Sequence, residues 1–455
     1  MYAWGRLWLW GYGKHPPLAG WIARLWFDVF PTADWAMHAL VLSLAGAAAW
    51  TCWLLAVRVV DRRRAAIVVL LLLIYPIFNF RGARYGTDLP LVPMFVLVVL
   101  VFVIAFEART VAWGAALGLV CAAAVLTKYW ALLVVGAVGL AALAHPERMR
   151  FFRSWSPYVA ALVFVVVLAP HLMWLVQSDY APFAYAAHHL APRHDSPLRQ
   201  AGAELRHHAA LLLPVALALV WVTCGNRLRA AETSSAVKVE QARHIWLIAG
   251  ALVALPPVLA VASGVYFAVD WGTPLYTLLP LAFIAIPQLG VGRRALVRAG
   301  SIWVLTLALG LASAPIVQVV QVKLYPQRYQ LNLADVAAKA SRLWRERHAT
   351  PLAVVAGPKY LAAAVTFYGA DHPVLFTNFD PRVVTWIDPE ALRRTGVMAI
   401  CPEAFSAPCE SGLASLALDA ERAVISQEPN PLDPFRSALR WSVFLVGPHS
   451  PGSAR

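Results

Sequence analysis

Lys14 and His15 stand in the run Gly11-Tyr12-Gly13-Lys14-His15-Pro16-Pro17-Leu18. The prolines stiffen that backbone, and the glycines let it approach a ligand closely. A cation and an imidazole held in such a turn suit a phosphate. The same run also reads as a plain turn into an interfacial helix anchored by Trp21 and Trp26. A second cluster is Arg81-Gly82-Ala83-Arg84-Tyr85-Gly86-Thr87-Asp88-Leu89-Pro90. Arg81 and Arg84 can each grip a phosphate through two parallel hydrogen bonds. Asp88 marks a helix start, as an N-terminal cap, a rigidly held catalytic carboxylate, or both. Lys128, in Leu126-Thr127-Lys128-Tyr129-Trp130, is a lone cation between apolar runs. It either binds phosphate or snorkels to lipid headgroups. Residues 178–207 add Asp179, His188, His189, Arg193, His194, Asp195 and Arg199. Arg193 joins the phosphate-binding set. His189 is the candidate ligand for a divalent metal, although the spacing is not that of a tight metal site. Tyr266, Asp270, Trp271 and Tyr276 suit sugar stacking and an interfacial belt equally.

The elements that must position these groups are membrane helices. Of 455 residues, 60% are hydrophobic and 14% charged, with mean hydropathy +0.63. A soluble domain has about 45–50% apolar and about 25% charged residues, so a wholly soluble enzyme is excluded, and so is a disordered chain. Apolar runs fall near 35–57, 65–80, 88–106, 110–126, 130–144, 157–177, 208–224, 245–267, 274–290 and 300–319. That predicts an α-helical polytopic membrane protein with about ten transmembrane helices. The net charge of +14 lies in loops, and no basic patch carries interleaved aromatics, so no nucleic-acid partner is expected. One alternating set of loops holds 15 Lys and Arg, at 58–64, 109, 148–153, 227–243 and 293–298. The other set holds 6, at 81, 84, 128, 193, 199 and 206. The first set is therefore placed in the cytoplasm. Every candidate residue named above then faces outward, to the periplasm of a bacterial inner membrane, and the candidates converge into one cationic pocket at the membrane surface. Such a pocket fits a lipid phosphate reached from the bilayer.

Residues 1–320 read as the membrane domain and 325–455 as a small periplasmic α/β domain. In the latter, Pro351–Gly357, His372–Phe376, Val397–Cys401 and Trp441–Val446 suit strands; Leu361–Tyr368 and Pro389–Thr395 suit helices. Cys401 and Cys409 are candidates for a disulfide there, while Cys52, Cys121 and Cys224 read as apolar fillers.

Tyr12–Leu18 (YGKHPPL), Thr87–Leu91 (TDLPL) and Leu126–Lys128 (LTK), in that order and on that topology, resemble bacterial GT-C glycosyltransferases. These are relatives of the protein O-mannosyltransferases and of the transferase that adds aminoarabinose to lipid A. The resemblance covers about residues 1–320. It implies transfer of a sugar, with inversion, from a polyprenyl-phosphate donor to a lipid, glycan or protein acceptor outside the cytoplasmic membrane. It implies catalytic roles for Asp88, His15 and Lys14, and donor-phosphate binding by Arg81, Arg84, Lys128 and Arg193. The family's general base lies in an Asp-Glu pair shortly before the Lys/His-Pro-Pro element. Residues 1–13 contain no Asp or Glu. The natural chain is accordingly expected to carry that pair and a first membrane helix within roughly 20–40 further residues upstream; the alternative is a degenerate member of the family. In the aminoarabinose branch a Glu at the Lys14 position helps hold a metal; its absence here weakens the case for one, and a divalent metal is at most an optional cofactor. Two readings compete: a transporter or flippase for a lipid-linked sugar, and a non-catalytic relative. A transporter often shows internal repeats or paired broken helices, and no such halves are visible.

Overall fold

A computed structural model describes residues 1–75, 78, 85–189, 196–224, 237–263, 272–324, 332–380, 384, 386–428 and 438–448. The chain forms two compact units. One comprises His15–Ala19 and Met37–Gly310; the other comprises Met1–Lys14, Gly20–Ala36 and Leu311–Arg455.

The first unit is helical. Among the described residues, the helices Asp34–Val59, Asp88–Ala108, Ser156–Gln177, Val239–Ser263 and Arg293–Leu324 are long and apolar enough to cross a membrane. Shorter apolar helices span Val111–Thr127 and Leu132–Ala144, and Pro197–Thr223 ends in another apolar stretch. The protein is a multi-pass membrane protein. The helix Asp88–Ala108 is apolar on every side, and a helix of that kind belongs in a core. Of its most apolar stretch 83% is buried, against none for Arg293–Leu324, which presents its apolar surface outward. Gly114 and Gly118 let Val111–Thr127 pack directly on Ser156–Gln177. A Cβ on either glycine would stand 2.3 Å from the carbonyl oxygen of Ser156 or Ala160. Small residues four apart permit this backbone approach between membrane helices.

Two apolar runs depart from continuous spans. The run at 65–80 forms the helix Arg62–Leu72 and turns before Pro76. The run at 274–290 breaks into Gly272–Leu275 and Leu279–Ile284. Pro280 sits in the first turn of the second piece and Pro287 follows its end, the positions where proline starts and stops helices. Arg64 satisfies the freed backbone, donating to the carbonyl oxygens of Ile284 at 3.0 Å and Leu289 at 2.6 Å. That loop cation is thus a brace buried in the bundle.

The second unit carries a five-stranded sheet: β1 Val354–Gly357, β2 Val374–Thr377, β3 Val397–Pro402, β4 Glu421–Gln427 and β5 Leu439–Val446. The spatial order is β2-β1-β3-β5-β4. β2, β1 and β3 run parallel, with the helix Lys359–Tyr368 linking β1 to β2. β5 is antiparallel to β3 and to β4. The helix Leu333–Arg347 buries Val336, Ala340 and Trp344 in the apolar core that includes Val355, Ile400 and Val443 of the sheet. Cys401 and Cys409 form a disulfide. The amino-terminal segment belongs to this unit: Tyr2 packs edge-on against Phe367, Phe27 does the same, and Tyr12 meets Trp386.

Candidate functional site

Asp88 opens the helix Asp88–Ala108, and Lys128 follows the last residue of Val111–Thr127. The sequence spacing leaves them 40 residues apart; the bundle brings Lys128 Nζ to 2.5 Å from Asp88 Oδ1. Lys128 escapes the helix by adopting extended backbone, φ −162° and ψ 136°. Its side chain is 7% exposed and that of Asp88 32%. Lys128 is therefore buried and paired, and headgroup snorkelling does not describe it. Thr87 occupies the N-cap position and Asp88 the first turn, so the carboxylate serves the ammonium instead of capping the backbone. A buried ammonium needs such a partner, because desolvation disfavours its charge and a neighbouring carboxylate restores it.

Residues that sequence reasoning missed follow directly on Lys128. The Tyr129 hydroxyl lies 3.1 Å from His171 Nε2 in a hydrogen bond. The Tyr129 ring stacks on Phe183, and His171 stacks on Trp174. Asp179 and Tyr180 both adopt left-handed backbone, φ 50° and 54°, which reverses the chain between Ser156–Gln177 and Ala181–His189 and delivers Phe183 to Tyr129. His171 had a visible signal: it is an imidazole inside an apolar span, directly after Pro170, and intramembrane ionisable residues are candidates by default. Tyr85 donates from its hydroxyl to the Ala19 carbonyl at 2.7 Å, tying the approach to Asp88 to the end of the His15–Ala19 segment.

The other candidates divide. His15 lies in the helical unit and Lys14 in the other; both are half-buried. Tyr276 is buried and accepts from the Tyr75 hydroxyl through its carbonyl, so it is core and not a stacking platform. Arg81, Arg84, Arg193, His194, Asp195, Tyr266, Asp270 and Trp271 lie outside the described residues, as do the side chains of His188 and His189. Among the described residues no group of three or more His, Cys, Asp or Glu is arranged to hold a metal ion.

Residues 14–174 match the family model of dolichyl-phosphate-mannose-protein mannosyltransferase. That stretch contains Lys14, His15, Asp88, Lys128, Tyr129 and His171. The crystal structure of ArnT from Cupriavidus metallidurans bound to undecaprenyl phosphate matches over 96% of this chain and 90% of that one, with TM-score 0.60 and 15% identity. The chain has the ArnT fold. The apo state of the same ArnT gives TM-score 0.58 and 16% identity, over 96% of this chain and 89% of that one. Among curated proteins none matches the sequence. The ArnT likeness extends beyond the 14–174 match into the carboxy-terminal sheet, and at this identity it speaks to fold alone.

Proposed function

We propose that the chain is a membrane glycosyltransferase that moves a sugar from a polyprenyl-phosphate donor to a lipid, glycan or protein acceptor on the periplasmic face of a bacterial inner membrane. The observation that supports this most is a buried ammonium, Lys128, held by Asp88 at one end of a bundle with the ArnT fold. The solved ArnT is bound to undecaprenyl phosphate, an anionic lipid that such a cation would receive. In this reading the acceptor hydroxyl attacks the anomeric carbon and the carbon–oxygen bond to phosphate breaks. The polyprenyl phosphate leaves with the bonding electrons, and the hydroxyl proton passes to a carboxylate. Lys128 binds the departing phosphate, with Arg81, Arg84 and Arg193 as further partners, where negative charge develops. Asp88 keeps Lys128 charged and in place, and Lys14 and His15 act on the reacting group. Residues 1–320 carry the transfer chemistry, and 325–455 form the outer domain.

Two measurements on the full chain in lipid nanodiscs test this. Lys128→Ala should weaken undecaprenyl phosphate binding about tenfold to a hundredfold, the worth of one charge-assisted contact. Asp88→Asn should lower sugar transfer on the order of 10²-fold, about 2.7 kcal/mol in the barrier. It also strands a buried cation, so adding Lys128→Met should recover thermal stability without recovering activity. Wild-type transfer by Asp88→Asn would remove the pair from the chemistry.

A further inference from the structure

The helix Asp88–Ala108 ends in a second polar constellation. A cavity of about 410 Å³ is lined there by Glu107, Arg109, His145, Glu147, Glu240 and His244, among others. His145 and His244 are 2% and 3% exposed, and their rings stack at 4.2 Å with 11° between planes. Three buried polar atoms on this wall have no hydrogen-bond partner among the described residues: Glu107 Oε1, His145 Nε2 and His244 Nδ1. His145 Nδ1 accepts the Glu147 backbone N–H at 3.1 Å, and burial, then Arg243, holds this imidazole below its ordinary pKa. The neutral ring therefore carries its proton on Nε2, a donor that nears the Glu240 backbone without reaching hydrogen-bond geometry. The nearest carboxylate oxygen, on Glu240, is 3.9 Å away, too far for a hydrogen bond.

The charges on the wall narrow the ligand. Glu147 pairs with Arg150 at 2.6 Å and Glu240 with Arg243 at 3.3 Å. Glu107 touches Arg58 through Oε2 at 3.4 Å and leaves Oε1 open. The exposed Arg109 guanidinium makes no ion pair or hydrogen bond with any described residue. A metal ion does not fit, because parallel stacked imidazoles send their in-plane lone pairs side by side and do not converge on one point. A bare anion meets three carboxylates, and a bare cation meets two guanidiniums and an N–H donor. We infer that this cavity binds a zwitterionic phosphoethanolamine-type group, its phosphate on Arg109 and His145 Nε2–H and its ammonium on Glu107 Oε1. The same chemistry is offered by a phosphatidylethanolamine headgroup and by a free phosphoethanolamine ester.

The test uses the purified full-length protein and two probes. Native mass spectrometry from nanodiscs counts retained phosphatidylethanolamine against phosphatidylglycerol. Titration calorimetry in detergent measures glycerophosphoethanolamine, with inorganic phosphate and ethanolamine as controls. Selective binding in the first arm identifies a lipid headgroup, and binding in the second alone identifies a free ester; either supports the site. Arg109→Ala, at an exposed position, and Glu107→Gln should each weaken binding about tenfold or more. His145→Phe should do the same, since it keeps the stacked ring and removes the donor. The inference is overturned by no selective binding in either arm, by inorganic phosphate binding as tightly as the ester, or by Arg109→Ala binding as wild type.

Discussion

At one end of the helix Asp88–Ala108 a carboxylate closes on a buried ammonium at 2.5 Å. At the other end, about 30 Å away at about 1.5 Å per residue, Glu107 leaves an oxygen and His145 a nitrogen without a hydrogen-bond partner among the described residues. That separation is about the thickness of a bilayer core. Both ends bury polar groups in apolar surroundings, and they meet the electrostatic cost differently. The Asp88–Lys128 pair is complete before a ligand arrives, so its geometry is fixed in advance; in the proposed reaction it awaits a departing phosphate. The Glu107–His145 wall is incomplete, and an unsatisfied buried group costs about 1–3 kcal/mol until something pairs with it. The first arrangement suits chemistry, which rewards preorganisation. The second suits binding, where the ligand itself relieves the cost.

The sharpest way to break this comparison is to ask which end faces outward. Gly86 precedes Asp88 and has open space where a Cβ would stand; Arg63 is exposed and follows Arg58, which pairs with Glu107. Single cysteines at these positions, in a Cys224→Ser background that removes the exposed native thiol, report the two ends separately. Intact spheroplasts should label Gly86→Cys with an impermeant maleimide and leave Arg63→Cys unlabelled. The reverse pattern would put the Asp88 end in the cytoplasm and end the proposal of transfer at the outer face.

A smaller effect concerns what holds Lys128 in register. Its helix leans on Ser156–Gln177, the helix of His171, through Gly114 and Gly118. Gly118→Leu forces a side chain against the Ala160 carbonyl and should destabilise the bundle by about 1–3 kcal/mol, as overpacking does. Thermal unfolding in detergent measures the loss, and undecaprenyl phosphate binding should fall with it as the Lys128 end shifts. An unchanged unfolding temperature would mean that the two backbones do not approach so closely.

Much of this architecture was legible in the residues. The apolar runs foretold the helices, because a membrane span announces itself locally. Asp88 and Lys128 stood out because charge at the mouth of a bundle needs a reason. Their pairing was hidden, since 40 residues separate them and only packing closes that distance. The bond between Tyr129 and His171 was hidden for the same reason, although an imidazole inside an apolar span was itself a readable signal. The breaks at Pro280 and Pro287 were invisible to a reading of hydropathy, which averages over prolines that interrupt backbone hydrogen bonding. The strand β4 went unread because Glu421–Gln427 is mostly exposed and polar at the sheet edge. The amino-terminal segment was read with the membrane domain, yet Tyr2 and Phe27 pack on Phe367, a contact across the length of the chain that no local pattern encodes.

The smallest predicted effect supplies a reference for both ends of the bundle: a half-exposed ion pair in the sheet-bearing unit. Asp371 accepts from Arg345 at 2.7 Å through one oxygen and from the Leu352 backbone N–H at 3.1 Å through the other. Burial pushes its carboxyl up, but those bonds and the Arg345 charge outweigh it and hold the pKa below the ordinary value. A carboxyl lowered on folding stabilises the folded state above its unfolded pKa of about 3.9, and the contribution is lost as pH falls below that through the folded value. Arg345 is more than half exposed, so solvent screens the pair and Asp371→Asn should cost only about 1 kcal/mol at pH 7. Scanning calorimetry of the full chain at pH 7 and near pH 3 should show the variant less stable at the higher pH and the gap narrowing at the lower. A gap that widened on acidification would mean that Asp371 folds as the neutral acid. A loss at pH 7 as large as that of Asp88→Asn would erase the distinction between a screened pair and the desolvated one at Lys128.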